Sequence, residues 1–88
     1  MKSYLVIYLK DPEKFLHKAP QNIALRILNH IDQVALNPLS KNTNLTKLKA
    51  PLDGYRLRVG DYRIIYLLDH TTTRLIVTKI DHRSNVYL

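Results

Sequence analysis

Cysteine is absent from this chain, and several other residue types are scarce. Without cysteine the chain can form no disulfide and offers no thiolate nucleophile or metal ligand. Glutamate occurs only as Glu13, and most aspartates fall at predicted turns or caps, which argues against a pair of catalytic carboxylates. The only glycines, Gly54 and Gly60, lie at predicted turns, so no phosphate-binding loop, dinucleotide-binding motif or Gly-x-Ser-x-Gly nucleophile motif is present.

Histidine is present but does not form a metal-binding motif. The four histidines are scattered along the chain, without the short spacings of metal ligands: His17, His30, His70 and His82. We therefore expect no metal site, no cofactor and mostly surface positions for these residues.

Long apolar runs are also missing. The apolar stretch within residues 1–10 is too short for a signal peptide or a membrane span, so we expect a cytoplasmic protein without membrane association. The apolar content of 45% nevertheless suits a globular fold, and 88 residues suffice for a single domain over residues 1–88 with a modest core.

Basic residues dominate the charge. The formal net charge is +7, and it is uneven: residues 1–40 carry a net +2 (five basic against three acidic residues), whereas residues 41–88 carry a net +5 (nine against four). This excess favours a polyanionic partner, most simply a nucleic acid.

The N-terminal half predicts one strand and two helices. Residues 4–9 are β-branched, aromatic or leucine, as expected of a strand. Asp11 is a candidate N-cap of the first helix, which ends at Ala19 because a residue before proline leaves the α region. Pro20 then begins a second helix over residues 20–36. The apolar residues of this helix share one face, as in a helix packed on a sheet: Ile23, Ile27, Ile31 and Val34.

The C-terminal half predicts strands. A loop over residues 37–46 leads to a short strand at 46–50, and residues 74–80 form a last strand before a polar tail. Residues 62–68 are apolar on both faces, which predicts a central strand. The order β-α-α-β-β-β indicates an α+β domain, in which an N-terminal helical hairpin packs on a mainly antiparallel twisted sheet.

The most informative stretch is a predicted β-hairpin over residues 55–66. Apolar residues alternate with Arg56 and Arg58 on its first strand, Gly60 begins a two-residue turn, and Arg63 follows the turn. Three guanidinium groups on one face repel each other unless an anion lies between them, although a solvated polar face is the simpler alternative. Once cysteine, paired carboxylates and metal sites are excluded, the reactive side chains left in the C-terminal half are those of arginine, lysine, tyrosine and histidine. These groups suit phosphate chemistry.

Two segments carry a resemblance to a known family. Residues 54–66 (Gly-Tyr-Arg-Leu-Arg-Val-Gly-Asp-Tyr-Arg-Ile-Ile-Tyr) and 82–87 (His-Arg-Ser-Asn-Val-Tyr) together resemble the RelE/ParE toxin superfamily of bacterial type II toxin–antitoxin systems, in particular its RelE-like branch. The upstream strand and helical hairpin also fit. The resemblance implies a RelE-like microbial RNase fold. It also implies a ribosome-dependent mRNA endonuclease that cleaves A-site codons by attack of the ribose 2′-hydroxyl on the phosphodiester and so inhibits translation.

The resemblance also implies roles for individual residues. Arg83 would stabilise the phosphorane or assist the leaving 5′-oxygen, Tyr87 would take the 2′-hydroxyl proton, and His82 matches a position where relatives can carry a functional histidine. The hairpin arginines would clamp the phosphate: Arg56, Arg58 and Arg63. General contacts with RNA, or solvated charge, are expected at four further positions: Lys47, Lys49, Arg74 and Lys79.

Several departures and alternatives bear on these roles. Arg56 and Arg58 replace lysines of the best-known members, and arginine gives up its proton far less readily, so they suit clamping rather than proton transfer. Thr46 stands near the position where another branch carries a glutamate base, which argues against that mechanism here. Tyr87 needs neighbouring cations to lower its pKa, and it could instead pack the tail on the sheet, just as Arg83 could be a surface arginine.

The implied partners are a cognate antitoxin, the ribosomal A site and mRNA, without a small-molecule cofactor. The main alternative is the ParE branch, which shares the fold and comprises non-enzymatic inhibitors of DNA gyrase. Such an inhibitor has no need of Arg83 and Tyr87, and its helical hairpin is typically longer. A third alternative is an inactive RNA-binding relative.

Overall fold

The computed structural model describes residues 3–38, 45–48 and 54–82 of the chain. They form two helices and five strands, one strand more than the predicted order β-α-α-β-β-β contains: β1 (Leu5–Tyr8), α1 (Lys10–Lys18), α2 (Gln21–Leu36), β2 (Leu45–Lys47), β3 (Gly54–Val59), β4 (Tyr62–Asp69) and β5 (Arg74–His82). The predicted α+β class is therefore confirmed. Neither helix is long and apolar enough to cross a membrane.

The strands form one mixed sheet in the order β1-β5-β4-β3-β2. The β1–β5 pair is parallel and the other three pairs are antiparallel, so the sheet is mainly antiparallel, as predicted. The predicted central strand, β4, is the middle one. Because β1 pairs only with residues 74–77, residues 78–82 of β5 extend beyond it.

Both helices cover the same face of the sheet, and the core lies between this helical layer and the sheet. The buried residues of α2 are Ile27, Ile31, Val34 and Ala35. Those of the sheet alternate along its strands: Leu57, Val59, Ile64, Tyr66, Leu68, Leu75, Val77 and Ile80. Each large apolar side chain buried in this way contributes about 1.5–3 kcal/mol to stability. The residues between them point to the other side of the sheet, which we call the open face.

The helix boundaries differ in detail from the prediction. The predicted cap at Asp11 is wrong, because α1 begins at Lys10 with Leu9 at the N-cap position and no side-chain cap. Asp11 and Glu13 instead lie in the first turn, where a negative charge complements the helix dipole. The break in the helix before Pro20 is confirmed, with Ala19 as the C-cap of α1 and Pro20 as the N-cap of α2.

The strand boundaries also differ. β2 begins at Leu45, one residue before the predicted strand, and β5 continues through Asp81 and His82, which the sequence predicts as tail. A β-bulge at Thr78 explains the register of β5, because Tyr66 pairs with Val77 whereas the preceding residue of β4 pairs with Lys79. The extra residue shifts the alternation by one position and so brings Lys79 and Asp81 to the open face.

Candidate functional site

The β3–β4 hairpin sets the geometry of the open face. Its turn has Gly60 at φ +59°, as the first position of a type II′ turn requires, and Arg58 is paired directly with Arg63 across the two strands. Arg56 lies two residues back, paired with Ile65. Paired residues on one face of a sheet have Cβ atoms about 4.5–5.5 Å apart, so the hairpin brings the three predicted arginines together.

β5 adds two more charged residues to the same region. The registers define two neighbouring rows of side chains across the open face: Lys79, Ile65, Arg56 and Thr46 in one, and Asp81, Arg63 and Arg58 in the next. We call the four cations the basic cluster: Arg56, Arg58, Arg63 and Lys79. Arg56 and Arg63 are half-buried, whereas Arg58 and Lys79 are exposed. Such a group of cations around one carboxylate is suited to binding an anion.

Asp81 is the carboxylate within this group. Its Oδ2 lies 3.2 Å from the Lys79 Nζ, and the residue is paired with Arg63 on β4. One feature of the sequence indicates where the Asp81 side chain points. The apolar residues of β5 are spaced two and then three positions apart, at Leu75, Val77 and Ile80. That change of spacing indicates a bulge, and the alternation counted from Ile80 assigns Asp81 to the open face.

A second unpredicted neighbour of the hairpin comes from α2. The Arg26 guanidinium lies over the turn, with Nη1 3.2 Å from the position that a Cβ on Gly60 would occupy. Arg26 is not among the residues of the predicted apolar face of α2, and the sequence pattern gives no signal for this contact. Its contact with the turn ties the hairpin tip to the helical layer and adds a further positive charge there.

Two predicted RNA-contact residues lie away from the basic cluster. Arg74 pairs with Asp69 at the other end of the sheet, six residues along β4 from Arg63, which corresponds to roughly 20 Å. The Asp69 carboxylate accepts hydrogen bonds from the backbone N–H groups of Thr71 and Thr72, and these bonds, with a smaller contribution from Arg74, lower its pKa. Lys47 is exposed on edge strand β2, paired with Tyr55.

His82 also lies outside the basic cluster. It is half-buried, and its ring packs edge to face on Tyr62 with a centroid distance of 5.2 Å. Tyr62 in turn packs on Phe15 of α1 at 5.8 Å, so this row of rings lies on the helix-covered side of the sheet. The structure therefore places His82 on the opposite side of the sheet from the arginines.

Three of the predicted site residues lie outside the described residues: Lys49, Arg83 and Tyr87. The roles implied for Arg83 and Tyr87 in proton transfer stay predictions. Within residues 3–38, 45–48 and 54–82, no group of histidine and carboxylate side chains is arranged to hold a metal ion.

The buried tyrosines are poor candidates for a base. The hydroxyl groups of Tyr8 and Tyr66 are buried without a hydrogen-bond partner in the described part of the chain. Burial, with a smaller effect of Asp32, raises the pKa of Tyr8 to about 12, and burial likewise raises the pKa of Tyr66. Both pair with β5 positions of the helix-covered face, so neither reaches the basic cluster.

An apolar region of the open face adjoins the basic cluster. Side chains of three strands share this surface: Leu5, Ile7, Ile65, Leu67 and Ile76. Leu48 and Leu67 both approach Gly54 from this side, at 3.5 and 3.6 Å from the position of an added Cβ. We call these six apolar residues the apolar belt. Its most exposed member, Leu5, is 61% exposed, so the open face joins a basic region to an apolar one that no element of the described residues covers.

Comparisons with known proteins place this arrangement in a family. A family model described as the ParE toxin of type II toxin-antitoxin system, parDE, matches residues 6–87. Toxin RelG of Mycobacterium tuberculosis (strain ATCC 25618 / H37Rv) is 30% identical over 87 residues, which cover 96% of this chain and 95% of RelG.

The fold of this chain also matches those of solved structures. The chain matches RelE in the archaeal RelE–RelB complex from Pyrococcus horikoshii OT3 with a TM-score of 0.82 and 28% identity, over 97% of this chain and 100% of that one. It matches a mutant of E. coli RelE in the free state with a TM-score of 0.80, over 98% of this chain and 90% of that one, although at 16% identity this likeness concerns the fold alone. The chain belongs to the RelE/ParE superfamily of toxins from type II toxin–antitoxin systems.

Proposed function

We propose that the protein is a ribosome-dependent mRNA endonuclease that inhibits translation. The observation that carries this proposal is the basic cluster, in which the arginines of both hairpin strands and Lys79 of β5 share one region of the open face. Cleavage of RNA by its own 2′-hydroxyl needs no metal and no protein nucleophile. It needs cations that bind the phosphate and stabilise the charge that develops on it.

In the proposed reaction the 2′-oxygen attacks the adjacent phosphorus and the bond to the 5′-oxygen breaks, which leaves a 2′,3′-cyclic phosphate and a 5′-hydroxyl. Arg56, Arg58 and Arg63 hold the non-bridging oxygens. Their guanidinium groups stay protonated, so they act as charges and hydrogen-bond donors only. Tyr87, as the phenolate, takes the 2′-hydroxyl proton, and Arg83 stabilises the phosphorane or assists the leaving 5′-oxygen, which takes up a proton from water.

The proposal includes a cognate antitoxin as the inhibitor. The P. horikoshii relative is a RelE in complex with RelB. On this chain the apolar belt adjoins the basic cluster, and an antitoxin segment with apolar and acidic residues is complementary to both regions. Binding there blocks access of RNA to the arginines.

The experiment that tests the proposal is primer extension on an mRNA translated in a purified system, with the protein added and with ribosomes present or omitted. We expect cuts within A-site codons that appear only when ribosomes are present. Cuts without ribosomes would keep the nuclease and remove its ribosome dependence. An absence of cuts by folded protein would reject the endonuclease.

A second candidate is a non-enzymatic inhibitor of DNA gyrase, which the match to the ParE toxin model favours. The short helices argue against it, because α1 has 9 residues and α2 has 16, whereas the helical hairpin of that branch is typically longer. A supercoiling assay with purified gyrase distinguishes the two candidates, since the proposed nuclease leaves supercoiling unchanged.

A further inference from the structure

A groove lies between α1 and the part of β5 that extends beyond β1. Its volume is about 540 Å³, and residues from both elements line it: Asp11, Lys14, Phe15, Lys18, Thr78, Lys79, Ile80 and Asp81. The groove exists because β1 ends at Tyr8 and pairs only with residues 74–77, so that α1, rather than a strand, lies beside the rest of β5. We call it the α1–β5 groove.

Three lysines and two aspartates line the walls of this groove, so its net charge is positive. Lys14 and Lys18 are one helical turn apart on α1, and Lys79 lies on the β5 wall. Like charges at this helical spacing destabilise a helix unless an anion lies between them. Asp81 already forms an ion pair with Lys79, and neither Lys14 nor Lys18 has a carboxylate partner within the described residues.

The α1–β5 groove is continuous with the basic cluster. Lys79 and Asp81 belong to the walls of the groove and also to the two charged rows of the open face. Arg56 lies two strands away from Lys79, which is about 10 Å, or about three nucleotides at a rise of ~3.4 Å per base. A strand whose phosphate is held by the arginines therefore reaches the groove within a few nucleotides.

The groove also offers an aromatic surface. Phe15 contributes to its wall, is half-buried, and is fixed by its edge-to-face contact with Tyr62. Nucleic-acid bases stack on such rings without sequence preference, and channels for single strands combine stacking rings with basic groups that follow the backbone. A phenylalanine between lysines fits this combination.

We propose that the α1–β5 groove binds single-stranded RNA next to the bond held at the basic cluster, so that the strand passes from the open face around β5 to α1. Lys14 and Lys18 contact its phosphates, and Phe15 contacts a base. This inference rests on the proposed function, because that function supplies the RNA strand. It adds a second contact region to the site.

The test is the binding of a labelled 12-nucleotide single-stranded RNA, measured by fluorescence anisotropy between 50 and 200 mM salt. The double variant Lys14→Gln/Lys18→Gln removes two phosphate contacts, so the slope of log K against log salt should decrease in magnitude by about 1.4, with roughly tenfold weaker binding at 100 mM salt. The control is Asn29→Glu/Gln33→Glu on the exposed side of α2, which changes the net charge by the same amount and should alter affinity by less than about twofold.

A second variant guards against loss of folding as an explanation. Asp11→Asn removes a carboxylate from the wall of the groove, and it should strengthen RNA binding severalfold, which a misfolded protein cannot imitate. A 12-base-pair RNA duplex should show a smaller difference between the lysine variant and its control than the single strand does.

Equal losses in the lysine variant and the control would overturn the proposal, because they would show a general charge effect. So would unchanged RNA binding together with weakened binding of an acidic peptide, since the groove would then belong to a protein partner. The readout is binding, so it is independent of cleavage. Missing cleavage with an intact groove effect would reject only the proposed nuclease.

Discussion

The side chains of the basic cluster differ in their exposure to solvent, and therefore in their freedom to move. Arg56 and Arg63 are half-buried within the sheet, whereas the Lys79 side chain is 64% exposed and is paired with the less exposed Asp81. An ion pair this exposed contributes about 0.2–1 kcal/mol, so a phosphate group can displace Asp81 from Lys79 at little cost. Arg56 and Arg63 therefore give the site its fixed geometry, and Lys79 gives it an adjustable charge.

Replacing Arg56 tests the fixed part of the cluster. If Arg56 clamps the phosphate, Arg56→Gln should lower the rate of mRNA cleavage by about 100-fold, the effect of removing one donor to a developing oxyanion. Arg56→Lys should keep much of the activity, because the role needs charge rather than proton transfer. Arg74→Gln, at the other end of the sheet, should have little effect. The measurement is quantitative primer extension, and equal losses in the two glutamine variants would contradict the placement of the site.

Replacing Asp81 tests the adjustable part. Asp81→Asn removes the only carboxylate of the two charged rows and releases Lys79, so it should strengthen RNA binding severalfold at 100 mM salt, with the gain decreasing as salt increases. Fluorescence anisotropy with a short RNA measures this. Weaker binding in the variant would mean instead that Asp81 holds Arg63 in its binding position.

At the scale of secondary-structure elements, the hairpin and β5 show which parts of the candidate site can be predicted from sequence patterns. The alternation of apolar residues with Arg56 and Arg58 specifies one face of β3, and Gly60 specifies the turn, so the arginine part of the site is predictable. The end of β5 is predictable only in part, because the apolar spacing indicates the extra residue at Thr78 but not that the strand continues to His82. Strand pairing, a non-local interaction, decides that Asp81 faces Arg63 rather than solvent.

The position of His82 and the start of α1 were unpredictable for related reasons. His82 follows the bulge, and its packing on Tyr62 depends on the neighbouring strand. Asp11 has the residue type of an N-cap, yet Leu9, two residues earlier, occupies that position, because Leu9 still follows the β1 direction and its N–H donates to the Val77 carbonyl of β5. In both cases tertiary contacts override the local preference of the sequence.

The hairpin turn supplies a prediction about stability. Gly60 has φ +59° and the Arg26 guanidinium 3.2 Å from the position of a Cβ, so Gly60→Ala should lower the free energy of unfolding by about 1–2 kcal/mol. Gly54→Ala is the matched control, because its Cβ would meet Leu48 and Leu67 at ordinary contact distances of 3.5 and 3.6 Å. Urea denaturation measures both variants, and equal losses would show that the turn conformation is not what matters at Gly60.

At the scale of the whole molecule, the sheet separates stability from function. Its helix-covered side holds the buried residues of the core, including the tyrosine hydroxyls without partners. Its other side holds the basic cluster and the apolar belt, over which no helix of the described residues lies, and the proposed RNA and antitoxin contacts belong to this side. Substitutions on the two sides should therefore affect different measurements: unfolding for the covered side, binding and cleavage for the open one.

The buried tyrosines make the fold sensitive to alkaline pH. The pKa of Tyr8 is raised from 10.0 to about 12 by burial, so above pH 10 the unfolded chain loses the phenolic proton while the folded chain keeps it. Stability falls where the unfolded state binds fewer protons, so the free energy of unfolding should decrease as pH rises from about 10 to about 12. Tyr66, whose pKa is also raised by burial, acts in the same direction.

The Tyr8→Phe/Tyr66→Phe variant isolates this effect. It removes two ionisable groups whose hydroxyls have no described partner, so at pH 7 it should unfold at the same or a higher urea concentration than the natural chain. Between pH 10 and 12 it should lose less stability than the natural chain does. Tyr4→Phe is the control, because the Tyr4 hydroxyl does have a partner, the His70 Nδ1 at 2.7 Å. Urea denaturation at a series of pH values decides the matter: parallel pH profiles for the double variant and the natural chain would mean that other groups govern alkaline unfolding.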